Sequence, residues 1–160
     1  MVSLKGSQPF SAEHRLQDLG VVLPNAPHPL GAYVESVQSG NLLFLSGMLP
    51  VKDGKLQYVG RIGKELDESA SRDALRTATL NALAAARAHV TSLDFVTRVV
   101  SVKVYLATHG DFYNQPIVAD AASELLRDVF GEDKMSVRSV VGVASLPLGA
   151  PVMLEVVFEV

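Results

Sequence analysis

Apolar residues recur with two different periods along this chain. Over residues 69–90 the spacing is helical: Leu75, Ala78, Ala82, Ala85, Ala86 and His89 form one stripe, while Arg72, Arg76 and Arg87 fall outside it. The stripe is mostly alanine, so this helix can approach a sheet closely. A second helix is expected from Pro116, a residue suited to a first turn, with Ile117, Val118, Ala121, Ala122, Leu125, Leu126 and Val129 as its apolar face and Gly131 as its stop. Elsewhere the period is two. Across residues 95–107, Val96, Val100, Val102, Val104 and Leu106 alternate with Thr97, Ser101, Lys103 and Tyr105, with Arg98 as the exception. Residues 33–38, 42–48, 138–144 and 152–160 read as further strands, and 56–59 as a short one.

Turn chemistry orders these pieces. Ser39-Gly40-Asn41 and Asp53-Gly54 are hairpin signals, and residues 146–151 connect the last two strands. Ahead of them, Ser11 can cap a short helix through Leu19, with Gly20 just past its end. Three prolines in Pro24-Asn25-Ala26-Pro27-His28-Pro29 then forbid a helix. Residues 1–30 therefore read as an extension that wraps over the body or a neighbouring subunit, and 31–160 as the domain. The order strands, helix, strand, helix, strands predicts an α+β fold. Its mixed sheet carries both helices on one face, with right-handed crossovers and an antiparallel hairpin at each end. The opposite face stays uncovered. On the last strand it presents Met153, Glu155, Val157 and Glu159, half apolar and half acidic, which points to burial against another subunit.

Composition supports one domain with a real core. The chain has 160 residues, of which 48% are apolar and 19% charged, which excludes a disordered or collagen-like chain. There is no cysteine, so disulfides, thiolate zinc sites and a cysteine nucleophile are excluded. The net charge of −3 and the scatter of the 14 Lys and Arg argue against a large nucleic-acid interface. Residues 1–10 lack a signal-like apolar run and no stretch has the length of a membrane span, so a cytoplasmic location is expected.

The usual catalytic signatures are missing. There is no G-x-S-x-G, phosphate-binding loop or dinucleotide fingerprint, and no cofactor is expected. His14, His28, His89 and His109 are too dispersed for a metal pair and read as structural or solvated; no metal site is expected. The last hairpin is more informative. With its turn between Leu148 and Gly149, Arg138, Val140 and Gly142 share a face with Glu155, Val157 and Glu159. Arg138 and Glu155 would then stand about 13 Å apart along the hairpin, room for a small molecule. Such an Arg can clamp a carboxylate, and such a Glu can polarise a water. From spacing alone, an ordinary ion pair or solvated strand charges is the more economical reading.

Three segments carry a family resemblance: Gly31-Ala32-Tyr33, residues 39–50 (SGNLLFLSGMLP) and residues 137–147 (VRSVVGVASLP). They resemble the Rid family, the YjgF-like reactive-intermediate deaminases long carried under an endoribonuclease label, from about Gly20 to the C-terminus. The longer N-terminal segment is most similar to the longer, less characterised branch. The resemblance implies a chorismate-mutase-like fold and a homotrimer whose sheets pack inward, with three ligand sites between subunits. It also implies hydrolysis of 2-imino or enamine acids to 2-oxo acids. Arg138 would hold the substrate carboxylate and Glu155 would position the attacking water, while Tyr33, Ser46 and Gly47 would line the cleft. Ser123 falls where the family often places an Asn, Val140 where it often has Cys, and Met48 where Gln is common. Tyr33 also reads as a packing residue, and Ser46-Gly47 as a product of tight strand packing. A non-catalytic trimer binding small carboxylates is the alternative, and ribonuclease activity a more distant one.

Overall fold

The computed structural model describes residues 11–160. Residues 1–10, read above for a leader, lie outside the described residues. Helix α1 (Ala12–Asp18) starts at Ser11, whose Oγ accepts the His14 N–H at 3.1 Å. Its Ala12 and Leu16 are buried in the main core, so this short helix is anchored to the body.

Strands β1 (Ser36–Ser39) and β2 (Leu42–Leu45) form the first hairpin around Gly40-Asn41, with Gly40 at φ +61°. Both strands are shorter than expected. Tyr33 precedes β1, and Met48 lies beyond β2 in an isolated bridge to Leu154. Strands β3 (Val51–Lys52) and β4 (Lys55–Leu56) make a small separate ribbon. Its turn, Asp53-Gly54, has φ of 52° and 77°, the two positive values of a type I′ turn.

Helix α2 (Glu68–Val90) is capped by Asp67, which accepts the Ala70 N–H at 2.8 Å. Then follow β5 (Arg98–Ala107), α3 (Gln115–Phe130), β6 (Val137–Val143) and β7 (Val152–Glu159). The main sheet has five strands in the order β1-β2-β7-β5-β6.

The expected final hairpin does not form. Strand β7 lies between β2 and β5, antiparallel to both, and β6 runs parallel to β5 at the sheet's edge. Burial explains the exchange. Val152, Leu154, Val156 and Phe158 of β7 are all at most 1% exposed, so this strand belongs at the sheet's centre. Strand β6 carries Arg138, Ser139 and Gly142, is largely exposed, and suits an edge. Its link to β7 is a single 3₁₀ turn, Pro147–Gly149, rather than a tight hairpin turn.

Three smaller expectations also change. A bulge in β5 between Val99 and Ser101 shifts the alternation, so Val99 rather than Val100 is buried with Val102, Val104 and Leu106. His89 leaves the α2 stripe for the surface, where its ring bonds Ser36 and Gln38. Ile117 is 44% exposed because the first turn of α3 projects beyond the sheet, and its carbonyl accepts from Arg72 Nη1.

Helices α2 and α3 cover one face of the sheet, as expected. Alanines 74, 78, 82, 85 and 86 let α2 lie close, and the Phe130 and Phe158 rings meet at 5.7 Å and a 57° tilt. Among the described residues, no element covers the other face. Register places Val37, Phe44, Val157, Ser101 and Val137 in one row across all five strands of that face. Among the described residues, no helix is long and apolar enough to cross a membrane.

Candidate functional site

Arg138 stands on edge strand β6 directly across from Val102, which pairs in turn with Val156. It therefore projects on the helix-covered face, beyond the last buried row. There α3 meets it. Arg138 Nη1 donates to Asp120 Oδ1 at 2.7 Å and to Ser123 Oγ at 3.0 Å. Asp120 and Ser123 are three residues apart, hence neighbours on one face of α3. The sequence expectation brought Arg138 and Ser123 to one site, and the structure joins them directly. Asp120 has no place in that expectation. The strand–helix–strand order did hold the signal, because a parallel crossover lays α3 over β6, and helical spacing then pairs Asp120 with Ser123.

The Arg138 and Asp120 side chains are 26% and 47% exposed, so their ion pair contributes only about 0–1 kcal/mol to stability. Its consequence is orientation. Both contacts use Nη1, and Nε and Nη2 make no hydrogen bond among the described residues. Those two nitrogens form the planar fork that can seat a carboxylate through parallel bonds. Val140 lies half-buried on the same face, paired with Val104. At Gly142 a Cβ would meet Thr108 Oγ1 at 3.3 Å and Gln115 Nε2 at 3.4 Å, so the strand is closely packed at this position.

Glu155 lies elsewhere. It stands across from Lys103, which pairs on its other side with Ser139, and so projects from the uncovered face. The expectation that Arg138 and Glu155 share a face fails because β5 separates their strands and their rows differ by one residue. Their backbones are about 10 Å apart, two strand spacings, and the side chains leave in opposite directions. Glu155 is half-buried and makes no hydrogen bond or ion pair among the described residues.

Of the remaining expected residues, Tyr33 and Gly47 line one cavity, and Ser46 precedes Gly47 in the chain. Gly47 immediately precedes the Met48–Leu154 bridge, and a Cβ there would fall 2.7 Å from Met153 Sδ. A side chain at this position would therefore have to push the flexible Met153 chain aside. Ser46 donates its N–H to Glu35 O at 2.8 Å and its Oγ to Val34 O at 2.5 Å, which fixes the path from β2 into the bridge. Tyr33 is 47% exposed, and its hydroxyl oxygen accepts the Leu30 N–H at 3.0 Å.

A cavity of about 680 Å³ opens beneath the proline-rich segment, with Pro24, Pro27, Leu30, Tyr33, Gly47 and Met48 in its wall. Asn81, 4% exposed, holds one side by donating Nδ2 to the carbonyls of Leu49 (3.0 Å) and Val51 (2.9 Å). Burial raises the Glu35 carboxyl above its ordinary range, partly offset by the charge of nearby His28. Among the described residues, no three or more His, Cys, Asp or Glu side chains cluster as a metal site would require.

The chain is similar to known proteins over most of its length. A family model described as YjgF/chorismate mutase-like, putative endoribonuclease, matches residues 13–160. Protein TCP17 of Trypanosoma cruzi is 38% identical over 145 residues, 90% of this chain and 91% of that protein. A 2-iminobutanoate/2-iminopropanoate deaminase of Dermatophagoides farinae is 30% identical over 132 residues, 82% of this chain and 88% of that protein. A solved structure from Shewanella oneidensis, described as a putative endoribonuclease, superposes with a TM-score of 0.90 at 30% identity, covering 94% of this chain and 99% of that one. The chain belongs to the YjgF-like, or Rid, family.

Proposed function

We propose that this protein hydrolyses reactive 2-imino or enamine acids to 2-oxo acids in clefts formed between its own copies, three to an assembly. The observation that carries the reading is the Arg138 guanidinium, held by Asp120 and Ser123 through one nitrogen with its bidentate edge open. The Dermatophagoides farinae relative supports the substrate class. The separation of Arg138 from Glu155 supports a shared cleft, since an open sheet face in one copy can bring its Glu155 toward the β6 edge of another.

In this reading Arg138 seats the substrate carboxylate and positions the adjacent C=N carbon. Glu155 takes a proton from a water as its oxygen bonds to that carbon. Glu155 returns that proton to the imine nitrogen, giving a neutral carbinolamine. The carbinolamine hydroxyl then gives its proton through Glu155 to the amine nitrogen as the C–N bond breaks, so that ammonia leaves and a 2-oxo acid remains. An imine is already electrophilic, so the step needs no cofactor. Tyr33 and Gly47 line the cavity under the proline-rich segment, and Val140 lies on the same sheet face as Arg138.

The test generates 2-iminobutanoate in place from L-2-aminobutanoate with an amino-acid oxidase and catalase, and follows loss of the imine. Wild-type protein should exceed the spontaneous rate, and Arg138→Ala should return to it. Wild-type rates equal to those of Arg138→Ala would overturn the reading. Tight binding of 2-oxo acids without turnover would favour a carboxylate-binding role instead.

A further inference from the structure

We propose that the cavity beneath the proline-rich segment is a ligand site of its own, and that it takes a primary amine with an apolar body. At about 680 Å³ it has the size of small-molecule sites. The residues of a single chain suffice to wall it. Neither Arg138 nor Glu155 is in that wall, so binding here does not depend on the imine reading above. Most of the wall is apolar: Pro24, Pro27 and Leu30 come from the proline-rich side, and Met48, Leu49 and Val51 from the body of the domain.

The polar groups in the wall decide what it holds. Asn81 is 4% exposed, and its Nδ2 donates to the carbonyls of both Leu49 (3.0 Å) and Val51 (2.9 Å), which fixes the amide's orientation. Its Oδ1 accepts from no donor among the described residues. No sealed side-chain nitrogen or oxygen among them lacks a partner, so Oδ1 opens on accessible space, and Asn81 lines this cavity. An acceptor this deep is costly unless a guest or a water donates to it. Half-buried Glu35 presents a carboxyl group that makes no hydrogen bond or ion pair among the described residues. Exposed Asp53 adds a second carboxylate, and the wall holds no Lys or Arg, with His28 its only basic side chain. These groups do not cluster as a metal site requires, so the complementary cation is organic. An ammonium brings three donors and a positive charge to Glu35 and the open amide oxygen, while its hydrocarbon part displaces water from the apolar wall. An anion of the same shape meets two carboxylates and no Lys or Arg to offset them.

The experiment titrates the intact protein by calorimetry at neutral pH with three probes of similar shape: 2-phenylethylamine, 2-phenylethanol and 3-phenylpropanoate. The amine should bind about tenfold more tightly than the alcohol, and the carboxylate more weakly than either. Glu35→Gln keeps the size and an acceptor oxygen but loses the charge. It should weaken the amine about tenfold and leave the alcohol unchanged. Thermal melts of the variant, expected to be at least as stable as wild type at this pH, separate lost binding from lost fold. In methyl-resolved NMR spectra the amine should shift the signals of Met48, Leu49 and Val51. An amine that binds no better than the alcohol, a Glu35→Gln effect shared by all three probes, or shifts confined to other methyl groups would overturn the proposal and leave the cavity to water.

Discussion

Arg138 and Glu155 leave opposite faces of one sheet, with β5 between their strands. No rotamer of either side chain bridges that barrier within a chain. If both act on one substrate, they come from different copies. Mixing Arg138→Ala with Glu155→Ala protein, each inactive alone, should then restore activity after subunit exchange. Random 1:1 assembly gives about a quarter of the sites both intact residues in a cyclic oligomer. Recovery of about that fraction of wild-type imine hydrolysis is the expected outcome. Persistent inactivity, with exchange verified by mass, would place both residues in one copy's site or exclude one from the chemistry.

If the protein assembles as proposed, the uncovered face is where its copies meet. Val37 (53% exposed), Phe44 (43%) and Val137 (72%) lie in one row with Val157 and Ser101. A row this apolar across the whole sheet is unusual surface for a free monomer. Phe44→Asp should leave the helix-covered core untouched and the circular dichroism unchanged, yet reduce the assembly to monomers by light scattering. Imine hydrolysis should fall with it. Retention of the oligomer would mean that another surface joins the subunits.

Gly47 and Met153 are coupled by contact. A methyl group at Gly47 would lie 2.7 Å from Met153 Sδ and 3.2 Å from its Cγ. Gly47→Ala must displace that flexible side chain, at a cost of about 1 kcal/mol. In urea melts, Met153→Ala in the same chain should recover most of the loss, because the obstacle is gone. Strict additivity of the two single variants would show that contact with the methionine is not what the substitution strains.

Local pattern and sheet order were not equally legible. The alternation of Val152, Leu154, Val156 and Phe158 announces a buried strand face, and the alanines of α2 announce close helix-on-sheet packing. Both follow from residue spacing, which is a local property. The position of β7 is not local. Nearness in sequence favours pairing β6 with β7, whereas the sheet's centre goes to the strand with the most apolar face to bury. That single inversion moved Glu155 to the other side of the sheet from Arg138. The β5 bulge at Val99–Ser101 is likewise set by pairing with β7 and leaves no mark beyond Arg98, the residue that breaks the alternation. Arg138 and Ser123 were legible through family resemblance. Asp120 was hidden because an acidic residue in the middle of a helix reads as solvated until a partner strand is placed beside it.

Glu35 offers a pH-dependent test of the cavity under the proline-rich segment. Burial is the largest influence on its carboxyl and raises its pKa above the reference of 4.5, with His28 opposing in part. A carboxyl raised in the folded state favours folding while protonated, below the unfolded pKa. That contribution is lost as pH rises through the folded pKa, and ionised Glu35 is then a net cost. Glu35→Gln fills nearly the same space and never ionises. Its melting temperature should exceed wild type at neutral pH, and the advantage should disappear as pH falls to about 4, where wild-type Glu35 is protonated too. Thermal melts of both proteins across that range read the difference directly. A variant less stable than wild type at neutral pH would show that the Glu35 carboxylate is held by favourable contacts rather than strained by burial.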